Sequence, residues 1–203
     1  MDRIASRFGY PVMLDLGDVA VLVVGAGPIG ARKAAGLLAA GARVTVVAPE
    51  VGPDVTQLAA ASRLVVRRRS FERGDLDGVR LVITATGDPA VDADVSAAAT
   101  AAGLWVNAAD QPADCTFALP AVARCGRVTI AVGTDGASPA LAQRLRDRAA
   151  ELLTGEVAAL ADQLATERSA IRQAGGSTED HDWAPRIDPV LAPSTPLRPL
   201  TRH

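Results

Sequence analysis

Five short apolar runs recur along the first half of the chain, each followed by small or polar residues. Val19-Ala-Val-Leu-Val-Val24 has no polar alternation, the pattern of a strand buried on both faces of a parallel sheet. Gly25-Ala-Gly-Pro-Ile-Gly30 follows at once. Ala31 to Ala40 is then rich in strong helix formers and stops at Gly41. Arg43-Val-Thr-Val-Val-Ala48, Leu64-Val-Val-Arg-Arg-Arg69, Leu81-Val-Ile-Thr-Ala-Thr86 and Leu104-Trp-Val-Asn107 read as four further strands. Asp88 to Ala102 reads as a helix with Pro89 in its first turn. This alternation predicts an α/β protein with a doubly wound sheet.

The pattern changes after Asp110. Thr116-Phe-Ala-Leu-Pro-Ala-Val122 and Gly126-Arg-Val-Thr-Ile-Ala-Val132 predict two strands joined by a turn near Arg124 to Arg127. Ser138 as N-cap and Pro139 at the first helical position start a helix running through Ala140 to Leu153. A second helix follows over Glu156 to Ala174. From Gly175 onward Gly, Ser, Asp and Pro dominate, and Pro185, Pro189, Pro193, Pro196 and Pro199 argue against regular structure. The expected organisation is a nucleotide-binding domain over 1–113, a β/helix unit over 114–153, a helix over 154–174 and a disordered Pro-rich tail over 175–203.

Gly25-x-Gly27-x-x-Gly30 is weak evidence alone, but here it joins a strand to a helix inside a β-α-β unit, the context of a Rossmann dinucleotide site. Gly25 permits the tight turn, Gly27 lets a pyrophosphate approach the backbone, and Gly30 lets helix and strand pack closely. The helix start offers free N–H groups and a positive dipole end to phosphate. Glu50 stands about 20 residues past Gly30, where an acid holds the ribose hydroxyls. No Arg follows directly to take a 2′-phosphate, so NAD is expected rather than NADP. Arg32 and Lys33 lie on the first helix, either near the site or on a solvated face.

Composition narrows the function. Apolar residues make up 49% of the 203 but aromatics only 3%, so the core is Ala, Val and Leu, and stacking platforms for single-stranded nucleic acid are nearly absent. A net charge of -2 draws the chain to neither DNA nor anionic lipid. Cys115 and Cys125 match no zinc spacing and read as reduced thiols; no metal ligand set is expected. No apolar signal core opens the chain and no run reaches the roughly 18 residues of a membrane span, so a cytoplasmic protein is expected. The only histidines, His181 and His203, fall in the expected tail. Proton transfer then falls to a carboxylate, an amine or a hydroxyl. Asn107 and Asp110 follow the fifth strand at the carboxyl end of the sheet, where ligands bind. Asp88, beyond Thr86, is a rival that reads more naturally as a helix cap.

Taken in order, Gly25-Ala-Gly-Pro-Ile-Gly-Ala-Arg-Lys33, Asn107-Ala-Ala-Asp110, Phe117-Ala-Leu-Pro120 and Thr134-Asp-Gly-Ala-Ser-Pro-Ala-Leu-Ala-Gln-Arg-Leu-Arg146 resemble the precorrin-2 dehydrogenase and sirohydrochlorin ferrochelatase family, the N-terminal module of siroheme synthases. The resemblance covers about residues 10 to 155. It implies an NAD-binding Rossmann domain, a small β/helical dimerisation unit and a short helical C-terminal region. It further implies oxidation of precorrin-2 to sirohydrochlorin with NAD, in some members followed by ferrous iron insertion. The family's catalytic Asp maps onto Asp110. Its nucleotide contacts map onto Pro28, Ile29, Pro49 and Glu50, beside Gly25, Gly27, Gly30, Thr86 and Asn107. A polyanionic tetrapyrrole needs cations: Arg144, Arg146 and Arg148, with Thr134 and Ser138, are the substrate-side candidates, each Arg alternatively a solvated helix residue. A homodimer is implied. The chain departs from the family at Pro28, which lacks an N–H for phosphate, at Thr134, where relatives often carry Ser, and in its short C-terminal region. The methyltransferase domain of the fused synthases has no counterpart in these residues, which implies that precorrin-2 is made elsewhere. A Rossmann module that senses NAD without chemistry is the competing reading; Asn107 to Asp110 and the Ser138-Pro139 helix favour the enzyme.

Overall fold

The computed structural model of the chain describes residues 7–62 and 64–192. It divides into two compact units, Met1–Leu119 and Pro120–His203. The boundary lies a few residues beyond the expected 113, because Thr116 is still bonded to the last strand of the sheet: its N–H donates to the Val106 carbonyl at 2.8 Å and its hydroxyl accepts from the Val106 N–H at 2.8 Å.

The first unit is a five-stranded parallel sheet of β1 (Ala20–Val24), β2 (Arg43–Val47), β3 (Val65–Arg67), β4 (Leu81–Thr84) and β5 (Trp105–Ala108), in the order β3-β2-β1-β4-β5. That order places the switch point between β1 and β4, where Val21 to Val24 pair with Leu81 to Thr84. Helix α1 (Pro28–Ala39) follows β1 and stops at Gly41, whose N–H returns to the Leu38 carbonyl at 2.9 Å. Helix α3 (Pro89–Ala101) follows β4, with Asp88 as its N-cap accepting from the Ala90 N–H at 2.9 Å. Helix α2 (Pro53–Ala61), between β2 and β3, was not expected from the periodicity. Two apolar clusters sandwich the sheet. One gathers Val21, Val23, Val44, Val46 and Ile83 with the inner face of α1; the other gathers Leu22, Val24, Val82 and Val106 with Val95, Ala98 and Ala99 of α3.

Past β3, Asp75 is buried and receives Arg67 and Arg69, the latter through both guanidinium nitrogens at 2.7 and 2.6 Å. The hydrogen bond from Arg69, together with the Glu72 N–H and Arg67, outweighs burial and lowers its pKa to about 2.

The second unit is the hairpin β6 (Ala121–Cys125) and β7 (Val128–Val132) with helices α4 (Pro139–Ala150), α5 (Gly155–Gln173) and α6 (Ala184–Leu191). The hairpin turns at Gly126 and Arg127, as expected, but Thr116 to Pro120 is not strand. Ser138 caps α4 and accepts from the Leu141 N–H at 3.2 Å. The expectation of disorder from Gly175 fails at α6. Pro185 sits in the first turn, where no N–H is needed, and Pro189 removes a single bond from an eight-residue helix. Arg186 ties α6 to Glu167 of α5 at 2.8 Å, and the His181 ring sits tilted against Trp183, centroids 4.3 Å apart. Residues 193–203 of the expected tail lie outside the described residues. Among the described residues no helix is long and apolar enough to cross a membrane.

Candidate active site

The glycine turn after β1 separates what the fold requires from what it leaves open. Gly25 has φ +106, and a Cβ there would lie 2.3 Å from the Ala85 carbonyl oxygen. A Cβ on Gly30 would lie 2.2 Å from the Gly25 carbonyl oxygen. Both positions are closed by protein backbone. A Cβ on Gly27 would meet nothing within 4 Å. Gly27 is the N-cap of α1 and is exposed, so only a group from outside the protein would compete for that space. The first N–H spent inside the helix is that of Ala31, on the Gly27 carbonyl at 2.9 Å. Pro28 has no N–H, which leaves Ile29 and Gly30 as the helix-start donors. A cradle with free donors, a positive dipole end and open space at Gly27 fits a pyrophosphate.

The loop after β2 leans on this turn, with the Gly52 N–H on the Ala26 carbonyl at 3.1 Å. That loop carries Pro49 and Glu50, both exposed. Across the switch point a cleft of about 190 Å³ opens, lined by Ile29, Ala85, Gly87, Asp92, Asp110 and their neighbours. Asp110 follows β5 with φ +60, a left-handed conformation uncommon outside glycine and concentrated at functional sites. The loop holding it is pinned from beneath: buried Cys115 Sγ accepts from the Ala108 N–H at 3.2 Å and donates to the Ala108 carbonyl at 3.3 Å. Burial pushes that thiol's pKa up.

The comparisons agree with this geometry. Residues 12–121 match the family model described as "Putative NAD(P)-binding". The solved structure of SirC, a precorrin-2 dehydrogenase, superposes with a TM-score of 0.69 at 31% identity, over 90% of this chain and 94% of that one. The chain belongs to the precorrin-2 dehydrogenase family. The siroheme synthase of Methylococcus capsulatus is 41% identical over 164 residues, 81% of this chain and 35% of the synthase. That of Tolumonas auensis is 39% identical over 163 residues, 80% of this chain and 34% of the synthase. The chain therefore spans about a third of the length of these curated relatives.

Within this precorrin-2 dehydrogenase family member, the expected residues separate into groups. Gly25, Gly27, Pro28, Ile29, Gly30, Pro49 and Glu50 share one rim of the first unit. Thr86 lies in the β4–α3 turn, its hydroxyl donating to Asp92 Oδ1 at 2.8 Å. Asn107 is buried, and its amide donates to the Phe117 carbonyl at 3.0 Å, so that group holds the Asp110 loop in place. Asp88 is the helix cap it resembled. Thr134, Ser138, Arg144 and Arg146 all belong to the second unit. There the Thr134 hydroxyl closes a turn with Ser138, accepting from its N–H at 3.2 Å, and Arg146 pairs with Asp147 at 2.6 Å.

The sequence allows Lys33 two readings and singles out nothing at Asp92. Lys33, one turn after Ile29 on α1, is half-buried. Burial is the largest influence on its amine and lowers its pKa; Arg32 adds to this, while Asp110 and Cys115 oppose it. Asp92 is a buried carboxylate in the wall of the cleft. Its signal in the sequence was an acid one turn past the Asp88 cap, on a helix rich in Ala and Val that also carries Asp94, Ser96 and Thr100.

Proposed function

We propose that the chain catalyses NAD-dependent dehydrogenation of precorrin-2 to sirohydrochlorin, a step of siroheme biosynthesis, in the cytoplasm and as a homodimer. The observation that carries this reading is the cleft that joins Ile29 of the glycine turn to Asp110 beyond β5. Family membership supports it, as does the coverage of nearly the whole of a precorrin-2 dehydrogenase.

The glycine turn and α1 hold the pyrophosphate, Glu50 takes the ribose hydroxyls, and the cleft takes the nicotinamide. Bound there, NAD would supply the hydride acceptor for the tetrapyrrole. A proton must leave as well, and Asp110 is the carboxylate positioned to take it. The first unit contains no histidine to compete for that role. The product then has two hydrogens fewer, one lost as hydride to the cofactor and one as a proton to Asp110. The same carboxylate serves a ferrochelatase step, accepting pyrrole N–H protons as ferrous iron, a substrate, enters the ring. Thr134, Ser138, Arg144 and Arg146 are the substrate-side residues of this proposal, with cations matched to the tetrapyrrole's carboxylates.

The test is an anaerobic spectrum of protein, NAD and precorrin-2, read for sirohydrochlorin, in wild type and Asp110→Asn. Wild type should reduce NAD, and the variant should fall about 10²–10⁴-fold in rate with NAD affinity retained. NAD binding without reduction in wild type would leave a sensor of the cofactor, not an enzyme. A variant as fast as wild type would remove Asp110 from the chemistry.

A further inference from the structure

The wall of the cleft holds a carboxylate that this chemistry does not use. Asp92 lies on α3 and is 3% exposed. Its Oδ1 accepts from the Thr86 N–H at 3.1 Å, from the Thr86 hydroxyl at 2.8 Å and from the Thr84 hydroxyl. All three donors are neutral. Asp92 lines the same cleft as Asp110 and Ile29. The two acids differ in their company. Lys33 sets a positive charge against Asp110 from α1. Asp92 has hydroxyls and an amide about it, which fix its carboxylate without neutralising it.

We propose that Asp92 makes this cleft select the oxidised cofactor, whose nicotinamide ring is cationic, over the reduced one, whose ring is neutral. The inference rests on the placement of the nicotinamide in this cleft. Hydride uptake removes one positive charge from the ring. A fixed anion in a water-poor wall stabilises the cation and does nothing comparable for the neutral ring. Because Thr84, Thr86 and α3 hold the carboxylate rigidly, it needs no rearrangement when the cofactor enters. The same charge opposes hydride uptake by the amount it favours binding. Its service to turnover is therefore in exchange: it draws in the hydride acceptor and releases the reduced product.

Asp92 is thus a specificity-determining residue for the cofactor's redox state. The experiment is calorimetric binding of NAD⁺ and of NADH to the full chain, for wild type, Asp92→Asn and Asp110→Asn, with melting temperatures alongside. Wild type should bind NAD⁺ more tightly than NADH, by about tenfold, the order of a single charge–charge interaction at an effective dielectric of about 20. Asp92→Asn keeps the shape and removes the charge, so it should weaken NAD⁺ and leave NADH nearly unchanged. Asp110→Asn, whose charge Lys33 offsets, should move the ratio less. A purely structural Asp92 would weaken both forms together, and that result overturns the proposal. So does equal affinity for the two forms in wild type, a measurement that needs no variant to fold. Failure of either form to bind wild type would instead overturn the cofactor placement beneath it.

Discussion

The two units are built from the same kinds of residue, yet they bury them to different degrees. In the first, Leu22, Val23 and Val82 are 0% exposed, sealed between α1 on one face of the sheet and α3 on the other. In the second, Ala142 and Leu160 alone are fully buried among the described residues, and no residue of β6 or β7 is. The cause is topological. A central parallel strand has neighbours on both edges and helices over both faces, whereas a two-stranded hairpin has one neighbour and is marginal by itself. Leu141, Leu145 and Leu152 are about half exposed on and beside α4. An unfinished core of this kind fits the proposed homodimer, whose partner copy would complete it.

The largest expected effect contrasts the two cores. Leu22→Ala should cost about 2–5 kcal/mol, because its sealed site cannot collapse, and calorimetry should show the loss in the first unit. Leu160→Ala should cost clearly less, since few other residues of the second unit are buried around it. Equal losses would mean that the second unit is as tightly packed as the first.

Leu141→Asp combined with Leu145→Asp comes next. These residues are one turn apart on the exposed side of α4. Sedimentation should show a dimer in wild type and a monomer in the variant, with NAD affinity kept because the glycine turn belongs to the first unit. A wild-type monomer would sink the homodimer and leave the open core unexplained.

Acid should act on the first unit through Asp75. Its carboxyl titrates at about 2 when folded against 3.8 when free. A depressed folded value means the ion pairs stabilise fully above the free value and lose their effect as pH falls from about 4 toward 2. Allowing for the partly exposed arginines, the loss is about 1–2 kcal/mol. Melting curves over that range should show it in wild type, with a shallower slope in Asp75→Asn. Parallel slopes would remove Asp75 as the acid-sensitive group.

The smallest effect belongs to α6. Ending the chain at Ala174 removes this helix and the half-exposed Arg186–Glu167 pair. The cost should be about 1 kcal/mol or less, about 2–4 °C in Tm at most, with NAD affinity unchanged. A larger loss would show that α6 closes the second unit's core.

The amino-acid sequence by itself determined the parallel sheet, the glycine turn and the cap at Asp88. Each is a local signal: a continuous apolar run, a spacing of three glycines, an acid before a proline. It also determined where Asp110 falls, one loop beyond the last strand. Tertiary structure alone decided the rest. Which glycines the fold itself needs shows only in what surrounds each: Gly25 and Gly30 meet backbone, and Gly27 meets nothing. The sequence leaves Lys33 open between site and solvated face and gives no sign of Asp92's burial, because helical spacing does not say what packs above a face. Only the return of the β4–α3 turn and of the Asp110 loop encloses them. Proline-rich composition misled at α6, where a partner helix and the position of Pro185 in the first turn outweigh propensity. Burial and charge pairing depend on residues far apart in the chain, and periodicity does not encode those contacts.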